Sequence, residues 1–348
     1  MATQNRLLCF LLAAAVVLML AATPANARIV GERQVPFSDD LQSEGGGLSS
    51  FSDWLAGFRE EALQSGIRAE VVDAALADIS PIDRVIELDR KQPEGVLTFD
   101  RYLTNVLPKS RLERAQKIYR QHHALLHKIG REYKVQPRFI MALWGVETDF
   151  GRNMGNFSII EALATLAYDG RRSEYFRGEL MNALRILNTG DVEPERMMGS
   201  WAGAMGQCQF MPSSFLKFAV DYDKDGKRDI WGSQADVFAS IANYLSQSGW
   251  SDEQNWGREV HLPPAFDQAL ADIKETKPLA EWQKLGVRKE GGAALPSAAF
   301  EASLIFPSDR EQERAFLVYD NYKVLLKWNR SRYFATAVGM LADSLGGT

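Results

Sequence analysis

The segment from Gln136 to Arg152 constrains this chain most, because its pattern predicts a buried helix that carries a carboxylate. A proline at the second position suits the first helical turn, where a missing backbone N–H costs nothing. Ile140, Trp144 and Glu147 follow one another at helical spacing, beside a second row that is apolar throughout. Glu147 therefore occupies a position where a core side chain is expected.

Glu147 suits acid catalysis, because burial penalises the charged form of a carboxyl group and raises its pKa. A general acid that works near neutral pH needs such a raised pKa. The alternative is a structural glutamate bonded to backbone, since structural networks also perturb carboxyl groups. Asp149 lies two residues further on and points to a different face of the helix, so we expect a surface or capping group there. No second catalytic acid is evident in the sequence.

The first 50 residues are expected to lie outside the fold. An apolar run is followed by an A-x-A pattern, which predicts that residues 1–27 are a secretory signal peptide cleaved after Ala27. An uncleaved membrane anchor is the alternative. Residues 28–50 contain three consecutive glycines and few large apolar side chains, which predicts a flexible tether. No later segment is apolar enough to span a bilayer, so we expect an exported chain without a transmembrane span.

Composition excludes several classes of function. The net charge of -5 offers no basic surface for nucleic acid. One of the two cysteines lies in the predicted signal peptide, so the mature chain has no internal disulfide. The other, Cys208, has no histidine near it in sequence, and the four histidines share no metal-ligand spacing with a cysteine. We therefore expect neither a thiol hydrolase nor a zinc site, and we interpret Cys208 as a packing residue.

Hydrophobic spacing predicts a mostly helical protein with a small antiparallel sheet near its C-terminal end. Residues 84–98 are interpreted as irregular and Asp320–Asn321 as a turn, and one long helix is predicted over residues 111–133. The helix that carries Glu147 is predicted to begin at Pro137 and to end before Gly151. The other predicted helices cover residues 51–65, 71–79, 99–105, 159–167, 171–188, 215–220, 235–247 and 332–345, and the predicted strands cover residues 302–306 and 315–318.

The segment from Gly206 to Ser213 has the polar and aromatic composition of a cleft lining. The amides of Gln207 and Gln209 offer donors and acceptors, and Phe210 offers a ring face. Together these groups suit a sugar that carries N-acetyl and hydroxyl groups. The alternative is a loop whose polar groups satisfy its own backbone.

An acidic loop between two predicted helices matches the first half of an EF-hand calcium loop. Asp221, Asp223 and Asp225 alternate and are followed by a glycine. The twelfth position is Gly232 instead of glutamate, and Asp236 is the nearest carboxylate that can close the site. The alternative is an aspartate-rich turn that binds no ion.

Several long motifs occur in a fixed order along the chain, and together they identify a family. They are Ala142-Leu-Trp-Gly-Val-Glu-Thr-Asp-Phe-Gly151, Asp169-Gly-Arg-Arg-Ser-Glu-Tyr-Phe176, Gly203-Ala-Met-Gly-Gln-Cys-Gln-Phe-Met-Pro-Ser-Ser214, the acidic loop, Ala242-Asn-Tyr244 and Trp328-Asn-Arg-Ser331. From about Phe51 to its C-terminus, the chain resembles the lytic murein transglycosylases of the B type.

The resemblance implies an α+β fold built on a lysozyme-like catalytic core over residues 137–250, which includes an EF-hand-like loop over residues 221–236. A helical domain is expected over residues 51–136, and a small β-containing domain over residues 251–331. A C-terminal helix, residues 332–348, is expected to pack on the helical domain.

The resemblance also implies a reaction. The family cleaves the β-1,4 bond between N-acetylmuramic acid and N-acetylglucosamine in peptidoglycan without net hydrolysis, because the muramyl 6-hydroxyl attacks C1 and leaves a 1,6-anhydro end. Glu147 matches the catalytic glutamate of the family, which protonates the leaving oxygen and then takes the proton of the 6-hydroxyl. This double role explains why no second acid stands out.

Further site residues follow from the resemblance residue by residue. No cofactor is required for the chemistry, and calcium is a candidate structural ion. The chain departs from the family pattern at Trp328, where tyrosine is common, and at Cys208, where tyrosine or glycine is more usual. The implied substrate-binding residues are Tyr102, Arg171, Arg172, Ser200, Gln209, Phe210, Tyr244 and Asn329, and the implied metal ligands are Asp221, Asp223, Asp225, Lys227 and Asp236.

The expected partners are peptidoglycan glycan strands and other cell-wall enzymes, with no nucleic acid. The best-known members of the family are lipoproteins, and this chain lacks a lipoprotein signal, so we expect a soluble periplasmic form. Two alternatives remain on the same residues, a hydrolytic muramidase and a non-catalytic peptidoglycan-binding protein. A calcium-responsive binding protein is a third.

Overall fold

The computed structural model describes residues 50–91, 97–169, 171–308 and 314–346. The predicted signal peptide and all but the last residue of the predicted tether lie outside these four stretches. None of the helices within the stretches combines the length and the apolar character needed to cross a lipid bilayer.

The described part of the chain is mostly helical, as predicted. In chain order the helices are α1 (Phe51–Gln64), α2 (Ala69–Leu76), α3 (Asp83–Arg90), α4 (Phe99–Val106), α5 (Lys109–Gln121), α6 (His123–Tyr133), α7 (Pro137–Thr148), α8 (Ile159–Tyr168), α9 (Ser173–Thr189), α10 (Pro212–Phe218), α11 (Gln234–Gln247), α12 (Leu279–Lys284), α13 (Asp320–Trp328) and α14 (Arg332–Ser344).

Local sequence sets where several helices begin. At α1 the hydroxyl of Ser50 accepts from the backbone N–H of Asp53 at 3.1 Å, and the Asp53 carboxylate accepts from the backbone N–H of Ser50 at 3.3 Å. This reciprocal capping box satisfies two backbone donors that the helix leaves free. Ser233 and Ser331 cap α11 and α14 in the simpler way, each with one accepted N–H.

Three local predictions were wrong. Residues 83–90 form α3, because Val85 and Leu88 lie one turn apart and are buried although the segment is highly charged. The long helix predicted over residues 111–133 is interrupted at His122, whose φ of -100° and ψ of 11° separate α5 from α6. The predicted turn at Asp320–Asn321 begins α13, where the buried Asn321 side chain binds backbone groups of residues 251 and 254.

The predicted sheet is present and larger than expected. Its strands are β3 (Gly257–His261), β4 (Lys277–Pro278), β5 (Arg288–Lys289), β6 (Glu301–Ile305) and β7 (Ala315–Val318), all paired antiparallel in the order β4-β6-β7-β3-β5. A separate two-stranded ladder joins β1 (Phe157–Ser158) to β2 (Met198–Gly199). The strands β3, β4 and β5 were not predicted, because β4 and β5 have only two residues each and β3 is buried at only two of its five positions.

The sheet lies between two hydrophobic cores. Successive side chains of a strand point to opposite faces, and on β7 Phe316 joins the main helical core while Leu317 joins a smaller core. That smaller core also contains Trp282 of α12. The alternation explains why β6 and β7, which are buried on both faces, were the strands visible in the sequence.

Helix α7 lies at the centre of the main core. All of its residues from Phe139 to Thr148 are buried, which is the pattern of a helix surrounded by protein. It packs against α5, α6, α11 and, most extensively, α14. The final helix α14 also contacts α4 and α5, so it joins the region around α7 to the N-terminal helices.

Candidate active site

The carboxyl group of Glu147 lies at the buried C-terminal end of α7. The residue is 7% exposed, and its Oε1 accepts a hydrogen bond of 2.7 Å from the indole Nε1 of Trp328. Burial raises the pKa of Glu147 to about 8, although the indole N–H, which favours the charged form, works against this rise. A carboxyl with this pKa holds its proton at neutral pH and can act as a general acid.

Gln207 fixes the end of α7 to the neighbouring segment. Its Oε1 accepts from the indole of Trp144 at 2.8 Å, and its Nε2 donates to the backbone oxygen of Trp231 at 2.8 Å. The hydroxyl of Thr148 donates to the backbone oxygen of Gln207 at 3.1 Å. The amide of Gln207 is therefore a structural bridge, and the prediction that both glutamine amides of this segment serve a sugar does not hold for this one.

Asp149 is not the surface group that the sequence predicted. It does end α7, with a left-handed φ of 51°, but its side chain is buried and contacts helix α5. There Arg111 lies 3.2 Å and Arg114 lies 2.6 Å from Oδ1. The left-handed turn redirects the chain, and this redirection makes a buried ion pair available that helical periodicity alone does not predict.

Three aromatic side chains form a wall beside Glu147. The ring of Trp328 lies 5.3 Å from that of Phe210 and 4.6 Å from that of Tyr244, measured between centroids. The hydroxyl of Tyr244 donates to the backbone oxygen of Lys327 at 2.8 Å. The structure thus brings together residues 210, 244 and 328, which belong to three distant sequence motifs.

The polar side chains of Ser200, Gln209 and Asn329 differ in whether their hydrogen-bonding groups have partners. The hydroxyl of Ser200 accepts from the backbone N–H of Ala204 at 3.0 Å. Gln209 donates to the backbone oxygens of Met154 and Gly206. The buried Nδ2 of Asn329 has no partner among the described residues, although its Oδ1 accepts from the backbone of Ser331. Asn329 therefore holds a free donor directly beside Trp328.

The arginine pair at the start of α9 is held by an acid that the sequence did not suggest. Arg172 donates to the Asp89 carboxylate at 2.6 Å, and Arg171 lies 3.6 Å from the same group. Asp89 is fully buried on α3, the helix that was interpreted as irregular. Tyr102 is also buried, with its ring 5.4 Å from the ring of Tyr333 on α14.

The acidic loop brings three of its predicted ligands together. Carboxylate oxygens of Asp221, Asp223 and Asp236 all lie within 4.8 Å of one another. The Asp225 carboxylate lies outside this group and accepts from the backbone N–H of Lys227 at 2.9 Å. Gly226 adopts a φ of 92°, the left-handed conformation that the sixth loop position requires. Three clustered carboxylates suit a hard divalent cation, so the residues present fit calcium.

Two residues of the site region were not assigned a role from the sequence. Trp328 was visible only as a departure from the family pattern, and nothing in its local sequence indicates a bond to a carboxyl 181 residues away. Asp89 lies in a charged segment where one more acid is inconspicuous. Asp89 lies four residues after the apolar Val85, on the same helix face, and this spacing was the available signal for a short buried helix.

Comparison with known proteins places this geometry in a family. Residues 50–343 match the family model for the transglycosylase SLT domain, so the chain belongs to that family. The membrane-bound lytic murein transglycosylase B of Escherichia coli (strain K12) is 38% identical over 258 residues. The alignment covers 70% of this chain and 66% of that relative, slightly less than two thirds of its length.

Solved structures confirm the expected fold class. SltB3 from Pseudomonas aeruginosa, in complex with NAG-anhNAM-pentapeptide, matches with a TM-score of 0.83 at 46% identity, over 86% of this chain and 80% of that one. The lytic transglycosylase SLT35 of Escherichia coli, in complex with calcium, matches with a TM-score of 0.71 at 28% identity, over 84% of this chain and 92% of that one.

Proposed function

We propose that this protein is a lytic transglycosylase that cleaves the β-1,4 bond between N-acetylmuramic acid and N-acetylglucosamine in peptidoglycan and forms 1,6-anhydromuramyl ends. The environment of Glu147 carries the proposal. Its carboxyl is buried, has a pKa of about 8 and contacts one neutral donor. Membership of the transglycosylase family and the NAG-anhNAM-pentapeptide bound to the similar SltB3 support the same conclusion.

In the proposed reaction Glu147 acts twice. Its proton passes to the glycosidic oxygen as the bond from C1 to that oxygen breaks, and the N-acetylglucosamine end leaves as an alcohol. The Glu147 carboxylate then takes the proton of the muramyl 6-hydroxyl while that oxygen bonds to C1. The carboxyl is protonated again at the end, and no water is consumed.

The alternative, a hydrolytic muramidase, usually uses a second carboxylate. Asp149 is the nearest acid in sequence, and it is engaged by Arg111 and Arg114. Its buried ion pair makes it a poor candidate for a base or a nucleophile. This arrangement favours one carboxyl that acts as acid and then as base.

Mass spectrometry of a peptidoglycan digest tests the proposal. We expect products that end in 1,6-anhydromuramic acid, and a Glu147→Gln variant that releases none above background. Products with reducing muramic acid ends identify a hydrolase. If neither kind of end is released while the protein sediments with peptidoglycan, the chain is a binding protein.

We propose that the glycan lies along the wall formed by Phe210, Tyr244 and Trp328. Ser200, Gln209 and Asn329 then supply polar contacts, with the free Nδ2 of Asn329 as a donor to the substrate. We extend the proposal to Tyr102, Arg171 and Arg172 as further substrate-binding residues. Arg171 keeps about half of its side chain exposed while it neighbours Asp89. The proposed catalytic core is residues 137–250, between a helical domain over residues 51–136 and a β-containing domain over residues 251–331. The C-terminal segment was expected to be helical over residues 332–348, and α14 covers Arg332–Ser344 of it.

We propose that the acidic loop holds a structural calcium ion through Asp221, Asp223 and Asp236, with Asp225 and Lys227 completing the loop. The ion would neutralise three clustered carboxylates and join the loop to α11. Calorimetric titration with calcium tests this proposal. Asp223→Asn should abolish the heat of binding, the exposed control Asp252→Asn should retain it, and no heat from the wild type would dismiss the site.

We propose a periplasmic location, with residues 1–27 removed as a signal peptide. The sequence pattern of residues 1–27 supports it. Glycan strands are the proposed partner, together with other cell-wall enzymes. Intact mass spectrometry of the protein from a periplasmic fraction should give a chain that starts at Arg28, whereas a chain that starts at Met1 would show that the segment is retained.

A further inference from the structure

Trp328 reaches the Glu147 carboxyl from outside the proposed catalytic core. It is the last residue of α13, and its indole Nε1 lies 2.7 Å from Glu147 Oε1. Within the four described stretches, this is the one hydrogen bond that the carboxyl makes. A group at the proposed reaction centre thus depends on a residue 181 positions away.

The chemistry of an indole makes this bond one-directional. Its N–H can donate but cannot accept. The better acceptor in a protonated carboxyl is the carbonyl-type oxygen, so a permanent donor on Oε1 favours the proton on Oε2. Once the proton has left, the same N–H bonds to the carboxylate, and this charge-assisted bond is stronger.

We propose that Trp328 is a positioning residue, which keeps Oε1 of Glu147 as an acceptor and so holds the transferable proton on Oε2. The proposal rests on the proposed acid and base role of Glu147. It assigns to Trp328 a function that a phenol does not guarantee, because a phenol can turn its oxygen and accept from the acid instead.

The indole is held in place from several sides. Phe210 and Tyr244 flank its ring, and the Tyr244 hydroxyl binds the backbone of Lys327, the residue before it. The ammonium of Lys327 donates to the backbone oxygen of Ser248 at 2.7 Å, just after α11. These contacts fix the end of α13 against the end of α11, so the donor remains aimed at Glu147.

Two ionisable groups close to α7 are neutral. Burial lowers the pKa of His122 and raises the pKa of Cys208, so both stay uncharged near neutral pH. Loss of activity above pH 7 is therefore attributed to Glu147. Further ionisable groups face this region. Asp149 pairs with Arg111 and Arg114, and Asp343 pairs with Arg138. The Asp236 carboxylate accepts from two backbone N–H groups, and burial raises the pKa of Tyr244 to about 12.

Trp328→Phe tests the proposal through the pH profile of kcat/KM. Loss of the donor removes stabilisation of the Glu147 carboxylate, so its pKa rises and the protonated acid persists to higher pH. The basic limb of the profile should move upward by about one to two pH units, the size expected for one hydrogen bond to a charged group. A structural role alone would lower the whole profile and leave the limb in place.

Trp250→Phe is the matched control. Its indole donates to Gln136 Oε1 at 2.7 Å at the other end of the same helix, so the substitution removes an equivalent bond without touching Glu147. We expect its limb to stay at the wild-type position. Equal shifts in both variants would overturn the proposal, and so would an unmoved limb in Trp328→Phe.

If Trp328→Phe does not fold, NMR of the wild-type protein tests the positioning role of Trp328 instead. The chain has eight tryptophans, and NMR detects each indole N–H separately. One signal should titrate with the midpoint of Glu147, and this titration should disappear in Glu147→Gln. No such signal would refute the positioning role, whereas release of anhydro products by Glu147→Gln at close to the wild-type rate would refute the proposed function itself.

Discussion

Glu147 and Asp149 are two buried carboxylates two residues apart, and they have opposite surroundings. Glu147 is 7% exposed and contacts the uncharged indole of Trp328. Asp149 is 8% exposed and contacts the guanidinium groups of Arg111 and Arg114. The two side chains are about equally buried, but burial favours the neutral form of Glu147, whereas Asp149 lies beside two positive charges.

The backbone produces this difference. Glu147 belongs to the last turn of α7, whereas Asp149 and Phe150 have left-handed φ values of 51° and 62°. This turn sends the Asp149 side chain towards α5 and leaves Glu147 beside the aromatic wall. Beside that wall the buried Glu147 carboxyl has an uncharged indole as its hydrogen-bond partner, and burial raises its pKa, so it holds a proton that it can give up near neutral pH.

The largest expected effect separates the two acids by activity. Glu147→Gln keeps the shape of the side chain but removes the proton, so we expect kcat/KM for peptidoglycan to fall by about 10²- to 10⁴-fold. Release of soluble muropeptides measures the rate, and circular dichroism checks the fold. Activity within a factor of a few of the wild type would show that Glu147 is only structural.

The second effect separates them by stability. Asp149→Asn leaves the buried Arg111 without its carboxylate, so we expect the free energy of unfolding to fall by about 3–5 kcal/mol. Urea denaturation measures it. Asp73→Asn breaks the exposed pair with Arg59 and should cost no more than about 0.5 kcal/mol. Similar losses of unfolding free energy in both variants would show that the Asp149 ion pair stabilises the fold no more than an exposed pair does.

The third effect concerns pH. The pKa of Glu147 in the folded state is about 8, above its ordinary value of 4.5, so the folded state holds this proton more tightly than the unfolded state does. The unfolding free energy of the wild type, relative to Glu147→Gln, should therefore decline as pH rises from 4.5 to about 8 and then level off. The total decline should be on the order of 3–5 kcal/mol. A difference between the two proteins that does not change with pH would contradict the raised pKa.

The smallest effects test the turn that separates the two acids. Gly151 has a φ of 77°, and a Cβ there would clash with the Gln207 side chain, so Gly151→Ala should destabilise the fold by about 1–3 kcal/mol. Gly178 lies in helix α9, and no atom of the described residues lies within 4 Å of an added Cβ. Gly178→Ala should stabilise the fold by about 0.4–1 kcal/mol. Melting curves of both variants compare them, and a neutral Gly151→Ala would show that the turn is not constrained.

The sequence predicted those parts of the site that depend on local pattern. Helical spacing placed Glu147 in the core, and alternate aspartates identified the acidic loop. It did not predict the Asp149 pair or the bond from Trp328, because both join residues that are 35 to 181 positions apart. The interpretation of residues 84–98 as irregular failed over residues 84–90, because a short helix with two apolar positions has a weak periodic signal; residues 92–96 lie outside the described residues.

A direct titration of Glu147 tests the central claim, that burial, with no cationic partner among the described residues, keeps this carboxyl protonated at neutral pH. Infrared difference spectra of the wild type against Glu147→Gln isolate the carbonyl stretch of the protonated acid. The band should persist through pH 7 and disappear with a midpoint near pH 8. A midpoint near the ordinary value of 4.5 would show that Glu147 is charged at neutral pH and would contradict its role as the acid.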